Sequence, residues 1–228
     1  MKIENVKGII WDLDGTLLDS FGIFEQTIAE VVHESGRPMP SHEHMLVNYH
    51  GSLEESVQQV LGIESAEELD AIINSFLSKQ ERHYSNNMEA HLFKDASMLA
   101  QRAAKRGVHQ LLVTNRAHQG RGNASPRTII AATVLADCIH EIHPADEVDY
   151  RKPDKRSVGD WMEKHKIEAT EAVVIGDQNV DAQLAINLGA RAILIKRSGD
   201  IPYLDSLTHK SQSDIIEVND LEKIELVP

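Results

Sequence analysis

A chain of 228 residues with 41% apolar content is long enough to bury one large core, or one core carrying a smaller insert. Its net charge of −13, from 23 Lys and Arg against 36 Asp and Glu, and the lack of any basic stripe with interleaved aromatics exclude broad binding to nucleic acid or to an anionic membrane. The single cysteine, Cys138, excludes an intrachain disulfide and a cysteine-based zinc site; it fits a reducing cytoplasm and reads as a small buried hydrophobe. The opening MKIENVKG has no long apolar segment after its charges, so no signal peptide is expected, and no apolar run reaches the roughly 18 residues of a membrane helix.

VKGIIW comes first, with Ile9, Ile10 and Trp11 in the continuous apolar run expected of a strand buried on both faces. It ends at Asp12 and Asp14, followed by Gly15. From Phe21 to Lys94 no strand is expected. FGIFEQTIAEVVHESG sets Phe24, Ile28 and Val31 on one helical face and stops at Gly36 and Pro38. SLEESVQQVLG is a second helix. SAEELDAIINSFLSKQERHY opens with a capping box, Ser65 and Glu68, and carries Leu69, Ile72, Ile73, Phe76 and Leu77 as a buried stripe; FLSKQER, around Lys79, reads as a solvated face.

Strands and helices then alternate. DASMLAQRAAKRG is a helix capped by Asp95, stopped at Gly107, with Met98 and Leu99 in its packed face. HQLLVT is a strand, RAHQGRGNASP a loop, and SPRTIIAATVLAD a helix with Ser125 as cap and Pro126 at its first position. DCIHEI is a weaker strand, DKRSVGDWMEKH a helix, AVVIG a strand, NVDAQLAINLG a helix ending at Gly189, RAILI a strand, and DIIEV a weaker one. Such alternation implies an α/β fold: a Rossmann-like parallel sheet with helices on both faces, formed by residues 1–19 and 95–228, with a small α-helical cap domain inserted at 20–94.

In parallel sheets the reactive groups gather at the carboxyl ends of the strands. Those ends supply Asp12 and Asp14, then Thr114 and Asn115, then Asp177 and Asp181, with Lys152 and Pro153 ahead of the DKRSV helix. Acids converging in this number repel and push one another's pKa up. A divalent cation resolves the conflict, and Mg²⁺ is suited to oxygen ligands, retained waters and phosphate.

DLDGTLLDS, LLVTN, KPD and VVIGDQNVD, in this order and spread over nearly the whole chain, resemble the four motifs of the haloacid dehalogenase superfamily. The resemblance is to the subgroup with a helical cap inserted after the first motif, as in phosphoglycolate phosphatase-like enzymes. It implies that Asp12 is a nucleophile forming an aspartyl-phosphate, and that Asp14 is the acid for the leaving alcohol and then the base for water. It implies that Thr114 and the Asn115 backbone hold phosphoryl oxygens and that Lys152 offsets charge between nucleophile and phosphate. Mg²⁺ would be held by Asp12, the Asp14 carbonyl and Asp177, with Asp181 supporting them through water. The activity implied is Mg²⁺-dependent hydrolysis of a small phosphomonoester of phosphoglycolate or sugar-phosphate type, in the cytoplasm, with no nucleic-acid or membrane partner and no oligomeric state specified. An acid at position 14 favours phosphoryl chemistry over dehalogenation, because a halide leaves without a proton.

Outside the motifs, Asp19 is expected to cap the helix after the first strand. Arg116 reads as an exposed charge, with contact to an anionic substrate as the alternative. Tyr49 and His50, beside Gly51 in NYHGS, are candidates to face the leaving group. The twelve histidines are scattered and read as surface imidazoles. Three competing activities are weighed. A phosphoglucomutase-type phosphotransferase shares the core motifs, but the loop NYHGSLEES is acidic and lacks the arginine a second phosphate needs. A phosphonatase needs a cap lysine as Schiff-base donor, for which Lys79 is the one available within the cap helices. A non-catalytic ligand-binding protein on the same fold is disfavoured by the intact Asp12, Asp14, Lys152 and Asp177.

Overall fold

The computed structural model describes residues 1–49, 52–119, 121–197 and 215–228. They divide into two compact units, one of residues Met1–Leu18 and Leu92–Pro228, the other of Asp19–His91. The first unit is built on strands β1 (Lys2–Ile3), β2 (Gly8–Trp11), β3 (His109–Val113), β4 (Glu141–His143), β5 (Ala172–Gly176), β6 (Arg191–Ile195), β7 (Ile215–Val218) and β8 (Glu225–Leu226). Six of them form one sheet in the order β4-β3-β2-β5-β6-β7, and β1 with β8 forms a two-stranded ribbon. All pairings are parallel.

β2 and β5 are buried at every position, as the unbroken apolar runs GIIW and AVVIG demand when both faces of a sheet are covered. One face packs Ile10, Leu111, Val113 and Val174 against Val158 and Trp161 of helix α7 (Arg156–His165) and Leu184 and Ala185 of α8 (Asn179–Leu188). The chain runs outward from β2 to β3 and β4, then returns to place β5 on the other side of β2. That reversal opens a crevice at the carboxyl ends of β2 and β5, where parallel sheets bind ligands. Register sets the rim: Trp11 lies opposite both Leu112 and Ile175, so the three central strands end nearly level.

The second unit is helical. It comprises α1 (Ser20–Ser35), α2 (His42–Asn48), α3 (Leu53–Leu61) and α4 (Ala66–Asn86). Asp19 caps α1 by accepting from the Gly22 amide at 2.8 Å, as its position predicts. Phe24, Ile28, Val31, Met45, Val57, Val60, Ile73 and Phe76 make its core. Four helices stand where three are legible, because α2 buries only Met45 and so shows no apolar period.

Four local expectations are corrected. Leu77 is exposed, off the buried stripe that Ile73 and Phe76 follow. Lys79 is buried, not on a solvated face; it follows Phe76 by three positions on the same stripe, and its Nζ donates to Glu34 Oε2 at 2.5 Å and Ser75 Oγ at 3.1 Å. Asp95 is not a cap. Helix α5 (Lys94–Lys105) starts two residues earlier behind Phe93, and Asp95 sits in its first turn, where a carboxylate still meets the positive end of the helix dipole. Helix α6 (Pro126–Ala131) is shorter than its pattern. Thr133 turns its hydroxyl onto the Ile129 and Ile130 carbonyls, its backbone is extended, and Val134–Asp137 continue as a 3₁₀ turn.

Phe76 is fully buried at the centre of the helical unit. Phe76→Ala is expected to lower stability by about 3–5 kcal/mol, read from urea unfolding followed by circular dichroism.

Candidate active site

Asp12 is the first residue beyond β2. Its amide donates to Ile175 O of β5 at 2.9 Å, which fixes the carboxylate at the rim of the crevice, 6% exposed. The chain then folds back on itself: the amides of Leu17 and Leu18 both bond Leu13 O, and Gly15 N bonds Leu18 O at 2.9 Å. Gly15 makes this possible with φ +77°, and a Cβ there would stand 2.2 Å from Asp177 Oδ2. Gly176 meets the same constraint on the other side, since a Cβ on it would lie 2.2 Å from Asp181 Cγ. Both glycines let backbone approach carboxylates more closely than any side chain permits.

Lys152 joins the group from the loop before α7. Its Nζ is 2.5 Å from Asp12 Oδ1 and 2.7 Å from Asp181 Oδ1, and all three side chains are buried. Asp181 lies in the first turn of α8, where its other oxygen accepts from Gln178 N at 3.2 Å. Asp177 follows β5, and its Oδ1 accepts from Thr16 Oγ1 at 3.4 Å. Asp12, Asp177 and Asp181 each offer one oxygen to a cluster whose members lie within 4.8 Å of one another.

Thr114, buried at the end of β3, donates its amide to His143 O at 3.2 Å and accepts from Arg116 N at 3.0 Å on Oγ1. Asn115 beside it is exposed. Asp14 is partly exposed, and the Arg116 guanidinium takes both its oxygens: Nε lies 3.1 Å from Oδ2 and Nη2 bonds Oδ1. Arg116 is therefore not an exposed charge; its side chain is 15% accessible. Tyr49 belongs to the helical unit, where its ring packs 4.9 Å from that of Phe24 and 5.3 Å from that of Phe21, centroid to centroid. His50 and Gly51 lie outside the described residues.

Two features escape sequence reasoning. One is the Arg116–Asp14 pair, since 102 residues of chain separate its members. The other is Arg197, just past β6. It stacks 3.9 Å over the Phe93 ring, donates to Asp95 Oδ2 at 2.9 Å, and donates to Thr16 O at 3.1 Å in the loop that carries Asp14. Nothing in the apolar period of RAILIKR distinguishes it.

The electrostatics are strained in one sense. Burial, then the charges of Asp12 and Asp181, push the Asp177 carboxyl up to about 9. Burial likewise pushes Asp12 up to about 7, with Asp181 and Asp14 adding to it and Lys152 opposing. Burial disfavours the Lys152 ammonium, but Asp12 and Asp181 more than offset this and raise its pKa. One buried lysine thus faces three carboxylates. The all-oxygen donor set fits a hard divalent cation, which would relieve the repulsion that raises the pKa of these acids.

The family model described as haloacid dehalogenase-like hydrolase matches residues 9–195. Among curated proteins, the chain is 27% identical over 183 residues to a phosphoglycolate phosphatase of Thiobacillus denitrificans, covering 79% of this chain and 78% of the relative. Among solved structures, it is similar to a haloacid dehalogenase superfamily hydrolase of subfamily IA, variant 1, from Geobacter sulfurreducens (TM-score 0.72, 18% identity, 96% of this chain and 94% of that one). It is also similar to CbbY of Rhodobacter sphaeroides in complex with xylulose-(1,5)bisphosphate (TM-score 0.64, 14% identity, 97% of both chains). At such identities the two structures establish the fold alone.

Because the folded-state pKa of Asp177 is raised above the ordinary 3.8, folding takes up protons, and the stability this confers is complete below about pH 4 and lost as pH rises towards 9. The melting temperature in chelator is expected to fall between pH 6 and pH 9. A divalent cation is expected to reverse the fall, and Asp177→Asn to flatten it, all three read by differential scanning calorimetry.

Proposed function

The chain belongs to the haloacid dehalogenase-like hydrolases, and from that premise we propose that it is a Mg²⁺-dependent phosphatase acting on a small phosphomonoester through an aspartyl-phosphate on Asp12. The observation that carries this reading is the contact of Lys152 Nζ with Asp12 and Asp181 at once, with Asp177 in the same cluster. A buried lysine shared by two acids beside a third contributes little as a stabilising device, since a well-packed apolar replacement is often as good or better. It has value where an anion must be received and a carboxylate kept ionised beside it.

In the proposed reaction Lys152 holds Asp12 Oδ1, so that Asp12 Oδ2 attacks phosphorus. The bond from that oxygen to phosphorus forms as the bond from phosphorus to the ester oxygen breaks. Asp14 delivers its proton to the departing alkoxide. It then removes a proton from water, which attacks the same phosphorus and frees both phosphate and Asp12. Thr114 and the Asn115 amide hold phosphoryl oxygens in line for both displacements. Asp12, the Asp14 carbonyl and Asp177, supported by Asp181, would hold Mg²⁺, which would supply neutralisation of charge on the phosphoryl oxygens. The helical unit is the proposed cap, selecting the leaving group and excluding bulk water. The substrate class is phosphoglycolate or a sugar phosphate. The names of the Thiobacillus relative, and of the ligand bound to CbbY, support that range. A reducing cytoplasm is the proposed setting, consistent with the lone buried thiol of Cys138.

Phosphate release from a panel of small phosphoesters tests the proposal. Release is expected to need Mg²⁺, to stop in chelator, and to fall by about a thousandfold or more in Asp12→Asn. Turnover that survives either treatment, isomerisation without net release, or release confined to phosphonates would overturn it.

A further inference from the structure

The guanidinium of Arg116 is fixed before any substrate arrives. Its backbone amide donates to Thr114 Oγ1 at 3.0 Å, and its carbonyl accepts from Ala145 N at 3.1 Å. Along the side chain, Nη1 donates to Ala124 O at 3.0 Å, while Nε and Nη2 take the two oxygens of Asp14. Asp14 is held differently. Its backbone is set by the turn around Gly15, where it bridges to Leu18, but its carboxylate is 28% accessible, and the position of that carboxylate is left to the rotation of its own side chain. The planar fork of an arginine fixes a carboxylate in position and in plane, which a single-point contact does not.

We propose that Arg116 is a positioning residue for Asp14: its fork holds the carboxylate in plane through one lone pair of each oxygen, and the outer lone pair of one oxygen carries the proton towards the ester oxygen of the substrate. The inference rests on the phosphatase reading and on Asp14 as its proton donor. It predicts a dependence on the leaving group. An alkoxide cannot depart without a proton, whereas p-nitrophenolate can, so misplacing the donor slows the first substrate and spares the second. The quantity to compare is kcat/KM, which covers the steps up to aspartyl-phosphate formation and leaves out the later role of Asp14 as a base.

Arg116→Gln and Arg116→Lys are to be compared with the unaltered protein on ethyl phosphate, phosphoglycolate and p-nitrophenyl phosphate. For Arg116→Gln the expected result is a fall in kcat/KM of about 30-fold or more on both alkyl esters, part of the 10²–10⁴ that general-acid catalysis supplies, and a change below about threefold on the aryl ester. Arg116→Lys is expected to recover part of the alkyl loss, since it keeps the charge without the fork. Asp14→Asn combined with Arg116→Gln is expected to be no slower on ethyl phosphate than Asp14→Asn alone. Equal losses on all three esters would show a structural role and overturn the proposal. A loss confined to phosphoglycolate, mainly in KM, would make Arg116 an anchor for the substrate carboxylate and would overturn it too. Unaltered protein that releases no phosphate from any ester would instead overturn the phosphatase reading on which the proposal stands. If Arg116→Gln does not fold, Arg116→Lys alone decides by the same ratio of alkyl to aryl loss.

Discussion

The site depends on one ammonium shared between two buried carboxylates. Lys152 reaches Asp12 at the end of β2 and Asp181 in the first turn of α8, so it ties the centre of the sheet to the helix after β5. Such a pairing is expensive to form, because each ion leaves water and the lone positive charge cannot satisfy Asp177 as well. The fold tolerates it because the surrounding strands are continuous apolar runs whose burial supplies the offsetting stability. The acids left beside that ammonium form an all-oxygen donor set suited to a divalent cation, and their raised pKa values register the crowding.

Much of this arrangement is legible in the chain. The strands IIW, LLV, VVIG and AILI are visible because a strand covered on both faces must be apolar without interruption. The acids are visible because they break those runs at their carboxyl ends. Helix α1 is legible from its cap at Asp19 and its stop at Gly36, where the backbone adopts the left-handed conformation that glycine favours. Less legible is whatever depends on tertiary partners. Lys79 looks solvated in its local sequence, since a lysine between polar neighbours gives no sign that Glu34 will meet it. The helix at Ser125 is cut short by a threonine hydroxyl that competes for backbone carbonyls, an effect invisible to apolar periodicity. Arg116 is the plainest case: one charged residue after a motif reads as surface until the loop of Asp14 is folded against it.

The glycines at 15 and 176 show how closely the site is assembled. At both positions a methyl group would stand 2.2 Å from a carboxylate atom of the cluster, with Asp177 on one side and Asp181 on the other. The GT and GD pairs in the two motifs are thus spatial requirements as much as conformational ones. Gly15 removes the side chain that would hold the loop after β2 off Asp177 beyond β5, and Gly176 the one that would hold β5 off Asp181 of α8. A larger residue at either place would push these carboxylates aside and loosen the cluster.

Two arginines then make this crowded centre rigid from its edges. Arg197 ties the Thr16 carbonyl to Asp95 and stacks on Phe93, while Arg116 holds Asp14 from the far side of the same loop. The loop from Asp12 to Leu18 is therefore gripped at both flanks by guanidinium groups that are themselves anchored to backbone carbonyls or carboxylates. Such support suits an atom-placement problem better than a binding problem. Reacting groups must lie within a fraction of an ångström of their targets before a reaction starts, because energy spent reorganising them adds to the barrier. Charged side chains serve here as struts, and their partners 102 to 181 residues away in the chain explain why no local pattern announces them.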